Sequence, residues 1–397
     1  MNFESHQPAI ASADCLADTP VNSDVCVDPF EATIAALRAP IDYPAMTAAI
    51  VPGDSVAVAV DPNTPQVLEI LSAVIQMLQQ SDADRISVVV GDEALASTME
   101  AVKEVVGDAA TVSLHHPSNR EELRFLGPDA SGHPIYLNRF LVDADFVLPI
   151  TSGRSGDLDR QSDLHGFFPA FSDSASRLRL FSRSSDFDSD AVDHNEPASL
   201  LGAQLILSVT SSQAGEAAAI IAGTTTGIRK HLQEIRYVPD DNSPTSLVVA
   251  SLDGNEQQQT WQNVARATAA AASRADTGGT IVVWTSLTIA PTACLINISD
   301  ESSEFTTPVD NLAEEELPRW DPTLQPAYTL RKLAQEYRIL LHSELQPEET
   351  EALGIGTLES DKELTTLTRS FAKCCVLRAA SFCGTTYDWP ERSIQGP

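Results

Sequence analysis

The chain has 397 residues, enough for two units of ordinary domain size, each with its own core. It carries 25 Lys and Arg against 56 Asp and Glu, a formal net charge of −31, which excludes the basic clusters that nucleic acid and anionic membranes require. No apolar run approaches the length of a membrane span, so the expected partner is a small molecule, with no nucleic acid and no membrane; a homo-oligomer is left open.

The first 27 residues hold Glu4, Asp14, Asp18 and Asp24 but no Lys or Arg, and they read as a flexible leader without the basic start of a secretory signal. Asp54–Val60 is a β-branched run that ends on the turn-forming cluster Asp61-Pro62-Asn63-Thr64-Pro65. From Pro65 to Gln80 the apolar residues fall at helical spacing. Ile86–Val90 is the next strand, Met99–Val106 a helix and Thr111–His115 a further strand. Gly127–Gly132 reads as a turn, Pro134–Asn138 as extended and Val142–Ile150 as a strand. Ser152–Asn195 is polar and weakly periodic, the mark of a functional loop or lid.

Leu205–Val209 resumes the sheet, Ala214–Ala222 suggests a helix and Asp240–Pro244 a linker. A second unit follows with strands at Ser246–Ser251, Gly278–Trp284, Arg338–Ser343 and Cys374–Arg378. Its helices are Trp261–Arg274 and Leu330–Glu336, and Asp300–Glu316 is an acidic surface segment. Strands alternating with helices at this spacing predict an α/β fold: two α/β domains with mainly parallel sheets and a cleft between them. The expected boundaries are 28–240 and 245–345, with 346–397 a segment returning to the first domain. None of the six cysteines shows CxxC spacing, so reduced core thiols and a cytoplasmic location are expected.

Leu164-His165-Gly166-Phe167-Phe168-Pro169-Ala170-Phe171 follows the polar stretch. His165 reads either as a metal ligand or acid/base in an apolar pocket, or as a helix start whose aromatics pack in the core. His115-His116 closes a strand, where neighbours face opposite ways, so one is expected buried and one exposed. The Asp61 cluster can face a cleft, or be a turn held by Asp and Asn side chains. Gln257–Gln262 opens the Ala-rich helix, and its amides can hold a carboxylate or simply be solvated. P-loop, GxGxxG, GxSxG and HExxH patterns are absent, which removes those reaction classes.

The order of these segments resembles the nickel-pincer lactate racemase (LarA-like) family. The resemblance rests on Val51-Pro52-Gly53-Asp54 with Asp61, Gly132–Arg139 with Ala144–Val147, and His165–Ser172. It continues through Val248–Gln262, Gly278–Ile281 and Glu348–Gly356. It implies enantiomer interconversion of a 2-hydroxy acid by hydride transfer to a nickel-bearing, nicotinate-derived cofactor that a lysine anchors. By position His165 matches a catalytic histidine, Asp61 an acidic substrate-binding residue and Gln262 a polar one. His194 is the counterpart of a nickel-ligating histidine. Thr64 stands at the family's arginine and Asp92-Glu93 at a histidine. Asp173-Ser174-Ala175-Ser176-Arg177 replaces the lysine segment, and Arg177, expected to bind substrate, lacks the amine that attachment uses. The implied function is a lactate racemase-like isomerase without the covalent cofactor. The alternative is a degenerate relative that binds a small carboxylate as a regulatory or sensing module.

Overall fold

The computed structural model describes residues 15–18, 24–129, 132–154, 164–185, 196–235, 243–297 and 320–383. Its strands are β1 (Cys15–Asp18), β2 (Ser55–Val60), β3 (Arg85–Val90), β4 (Thr111–Leu114), β5 (Leu123–Pro128), β6 (Pro134–Asn138) and β7 (Phe146–Ser152). Then come β8 (Ile206–Ser211), β9 (Ala217–Gly223), β10 (Thr245–Ser251), β11 (Ala275–Trp284), β12 (Arg338–His342), β13 (Gly356–Thr357) and β14 (Cys374–Leu377). Two six-stranded sheets result, ordered β4-β3-β2-β7-β8-β9 and β1-β14-β10-β11-β12-β13. All pairings in them are parallel except β8 with β9, so the α/β class expected from the strand–helix alternation holds.

Strand alternation decides what each sheet face buries. Val56, Val58 and Val60 of β2 point to a core built with the helix Val67–Gln79, while Ala57 and Ala59 face the opposite way. The small alanines leave room there for Leu141, Phe167 and Phe171. The second sheet repeats the device. Val248 and Ala250 of β10 pack with the helix Trp261–Ala272, and Leu247 and Val249 with Leu364 on the other face.

Several expectations are corrected. Residues 15–18 are not leader: β1 pairs with β14 at the edge of the second sheet. Gly127 and Pro128 belong to β5, which pairs antiparallel with β6, so the turn is shorter than expected. Val142 closes a short helix, Arg139–Val142, and the strand begins at Phe146. The stretch expected to be irregular contains the helix Ser174–Ser185. Its apolar signal is thin because Ser176 and Arg177 lie on its buried side. Ala217–Gly223 is a strand, where pairing with β8 overrides alanine's helix propensity. The helix Thr225–Ile235, which sequence reasoning missed, follows it. Residues 347–383 stay with the second sheet through β13 and β14 instead of returning to the first, and 384–397 lie outside the described residues. Asp240–Asn242 and Asp300–Glu316 lie outside the described residues.

The cysteine expectation is corrected in part. Cys374 is disulfide-bonded, with the β1–β14 register setting position 15 opposite position 374, whereas Cys26, Cys294, Cys375 and Cys383 are thiols. The argument from thiols for a reducing compartment therefore does not extend to Cys374. No helix among the described residues is long and apolar enough to cross a membrane.

Candidate functional site

Strand order in the first sheet reverses direction at β2, with β3 and β4 on one side and β7 and β8 on the other. In open α/β sheets, ligands bind beyond the carboxyl ends of strands at such a switch point. Asp61 occupies that position. Its amide donates to Ile150 O across the β2–β7 gap (3.0 Å). Its Oδ1 accepts from the Asn63 amide (2.9 Å) and its Oδ2 from Ser152 Oγ (2.8 Å), with Arg154 Nη2 at 3.6 Å. The residue is both a turn former and a group aimed at the strand ends. Burial alone would raise its pKa, but Arg154, then Arg266, the Ser152 hydroxyl and the Asn63 amide outweigh that cost and hold it below the ordinary carboxylate value.

The second sheet reverses at β10, between β11 and β14. There Asp253 Oδ2 accepts from Ser251 Oγ (2.6 Å) and the Ala379 amide (2.8 Å), while its Oδ1 stands 4.0 Å from Arg378 Nη1. The two switch points meet. The Arg154 guanidinium carbon lies 5.9 Å from the centre of the Phe382 ring, which follows β14. Gly215, at φ +77°, lies against the Asp253–Gly254 backbone, where a Cβ would come within 2.5 Å of the Asp253 carbonyl carbon.

A polar seam closes the junction beside these groups. Asn63 donates to Glu93 Oε2 (2.7 Å), receives Asn263 Nδ2 at its Oδ1 (3.0 Å), and its carbonyl accepts from Gln258 Nε2 (3.2 Å). Arg266 grips both oxygens of Glu93 at 2.8 and 2.9 Å. Gln257 accepts from the Leu95 amide and Thr98 Oγ1 and donates to Glu93 O. The glutamine-rich turn is therefore neither solvated nor open to a ligand; it joins the two sheets. Several buried side-chain polar atoms lack a hydrogen-bond partner among the described residues. Four of them, Thr64 Oγ1, Arg154 Nε, Arg378 Nη1 and Ser381 Oγ, belong to residues at or just beyond the two switch points.

The residues singled out from sequence do not converge as a set. His165 is buried, its ring stacks on Phe167 (14°, centroids 5.7 Å apart), and its Nε2 lies 3.3 Å from Thr225 Oγ1. The neighbouring Leu164 carbonyl accepts from Thr151 Oγ1 (3.4 Å), whereas Asp61 is bound by Ser152. Phe167, Phe168 and Phe171 pack in hydrophobic clusters, which is the core reading of that run.

Gln262 donates to Pro322 O (3.4 Å), while Asn263, one residue on, turns to Asn63. Asn263 and Arg266 were missed. They are polar residues three apart on an Ala-rich helix, a spacing that marks one face in the sequence itself. Arg177 is nearly fully buried and spent on structure. It makes two bonds to Asp92 (2.7 and 3.0 Å), one to Pro169 O (3.1 Å) and one to Ala170 O, with Trp320 at 5.3 Å. His194 lies outside the described residues. Of the pair at the end of β4, His115 is buried and His116 exposed, as strand alternation requires. Among the described residues no cluster of three His, Cys, Asp or Glu could hold a metal ion.

Comparison with known proteins gives three findings. Residues 15–153 match the family described as the lactate racemase N-terminal domain. The structure is similar to the lactate racemase apoprotein from Thermoanaerobacterium thermosaccharolyticum, with a TM-score of 0.69 and 14% identity over 93% of this chain and 94% of that one. It is also similar to a Thermotoga maritima protein, with a TM-score of 0.58 and 11% identity over 89% of this chain and 97% of that one. No curated protein matches in sequence.

Proposed function

We propose that the chain, whose residues 15–153 match the lactate racemase N-terminal domain, is a LarA-like protein that binds a small 2-hydroxy carboxylate between its two switch points. The observation that carries this reading is the Asp61–Ser152–Arg154 group. An ionised carboxylate and a guanidinium stand side by side at the strand ends, and each side chain keeps about a fifth of its surface exposed, 23% for Asp61 and 20% for Arg154. Arg154 supplies donors for the acid's carboxylate, and Asp61 accepts from its hydroxyl. Holding both groups of one molecule fixes its orientation, which a regulatory or sensing module requires as much as an enzyme does.

The family's nickel-pincer cofactor does not fit this chain's residues. The helix Ser174–Ser185 contains no lysine, and the guanidinium at Arg177 has its donors taken by Asp92, Pro169 and Ala170. No step is therefore assigned to that group. A second reading, a racemase or epimerase acting on the bound hydroxy acid by hydride transfer, requires a hydride-accepting cofactor held without the lysine; the observation that favours it is that Asp61 is placed to accept from the acid's hydroxyl.

Calorimetric titration of the full chain with D- and L-lactate tests the binding reading. Binding is expected, and Asp61→Asn should weaken it by about tenfold or more, the worth of a hydrogen bond to a charged group. Absence of heat and of thermal stabilisation with both enantiomers would overturn it. Polarimetry on the same mixtures tests the second reading, which fails if a bound enantiomer persists unchanged.

A further inference from the structure

The second switch point carries groups that lactate leaves unused. Among the described residues Arg378 Nη1 is buried without a hydrogen-bond partner, and so is Ser381 Oγ, whose residue is only 3% exposed. Asp253 balances the charge of this arginine but makes no hydrogen bond to it. One of its oxygens is taken by Ser251 Oγ and the Ala379 amide, and the other stands 4.0 Å away, beyond hydrogen-bond reach. A guanidinium needs acceptors in a fork, and a carboxylate offers two. The turn Ala380–Phe382 connects this group to the first site, since Phe382 lies under Arg154.

We infer that Arg378 and Ser381 hold a second acidic group of the ligand, so that the acid taken is a 2-hydroxy dicarboxylate in preference to a monocarboxylate. The inference rests on the reading of Asp61 and Arg154 given above and names its ligand class. In it Arg154 takes the carboxylate next to the carbinol, Asp61 the hydroxyl, and Arg378 with Ser381 the distal carboxylate. Each arginine keeps its own aspartate nearby, so the protein brings no uncompensated cation to the junction before the acid arrives.

The test is calorimetric titration of the full chain with lactate and with malate, in the parent protein and in Arg378→Met, Arg378→Lys and Ser381→Ala variants. Malate is expected to bind about tenfold or more tightly than lactate, from hydrogen bonds to a charged group. Arg378→Met should bring that ratio to about one, and Arg378→Lys should restore part of it, because an ammonium supplies the charge without the fork. Where Arg378→Met does not fold by circular dichroism, Ser381→Ala decides, with a lowered malate-to-lactate ratio expected. Lactate binding with no preference for malate, or a preference that survives both substitutions, overturns this inference alone. Failure of both acids to bind overturns it together with the reading beneath it.

Discussion

His115 has a single protonation state that its surroundings accept. Its Nε2 lies 3.0 Å from the Ser172 carbonyl, so that nitrogen donates, and its Nδ1 lies 3.4 Å from the Asn138 amide nitrogen, so that nitrogen accepts. The Asn138 amide is held in this sense because its oxygen accepts from the Phe140 amide. Burial, followed by the Arg177 charge, pushes the imidazole pKa down to about 3, against the pull of the Ser172 carbonyl. An unfolded chain takes up the proton near 6.5, so between these values the unfolded state binds more protons and stability falls as pH falls. The contribution is complete above pH 6.5 and shrinks by at most about 1.4 kcal/mol per pH unit below it. Urea unfolding at pH 7, 6 and 5 checks this, with His115→Gln expected to flatten the slope relative to the parent. Equal slopes would count against it.

At the scale of elements, the helix Trp261–Ala272 does two jobs with one sequence. Its alanines and Val264 pack on β10, and Asn263 and Arg266 reach Asn63 and Glu93 of the first sheet. The Glu93 and Arg266 side chains are about one-third exposed, so their coupling should be modest despite its two-bonded geometry. A double-mutant cycle with Glu93→Gln and Arg266→Met should give about 1 kcal/mol in dilute buffer and less at high salt. No measurable coupling would show that the seam is held by its amides alone.

The same scale explains what was legible in the sequence. Runs such as Ser55–Val60 and Thr245–Ser251 are β-branched between turn residues, and period and composition agree there. Ala217–Gly223 was misread because alanine's preference for helix yields to pairing with β8. Asp61 was legible as a strand-end acid. Its partners Ser152 and Arg154 lie 91 and 93 positions further on, at the end of a different strand, where only topology brings them together. Arg378 and Ser381 are invisible for the same reason.

Across the whole molecule, the junction between the sheets depends on close backbone approach as well as on polar bonds. Gly215 is the tightest point described there: its φ of +77° suits glycine, and an added Cβ would run into the Asp253–Gly254 backbone. Gly215→Ala should cost on the order of 1–3 kcal/mol from backbone strain alone, read as a lowered melting temperature. It should also weaken hydroxy-acid binding, because Asp253 adjoins that contact. A melting temperature equal to the parent's would mean that the two sheets separate there without penalty.

The placement of residues 15–18 in the second sheet has a mechanical consequence. The chain begins its described course beside β14, crosses to build the first sheet from the helix Pro29–Arg38 through Thr225–Ile235, and crosses back at β10. Over the described residues, two peptide tethers therefore join the halves. A body on one tether can swivel in any direction, but a body on two turns most freely about the line through both attachments. Breathing of the ligand junction is thereby narrowed toward a single rotational axis, and removing the first strand would release the second degree of freedom.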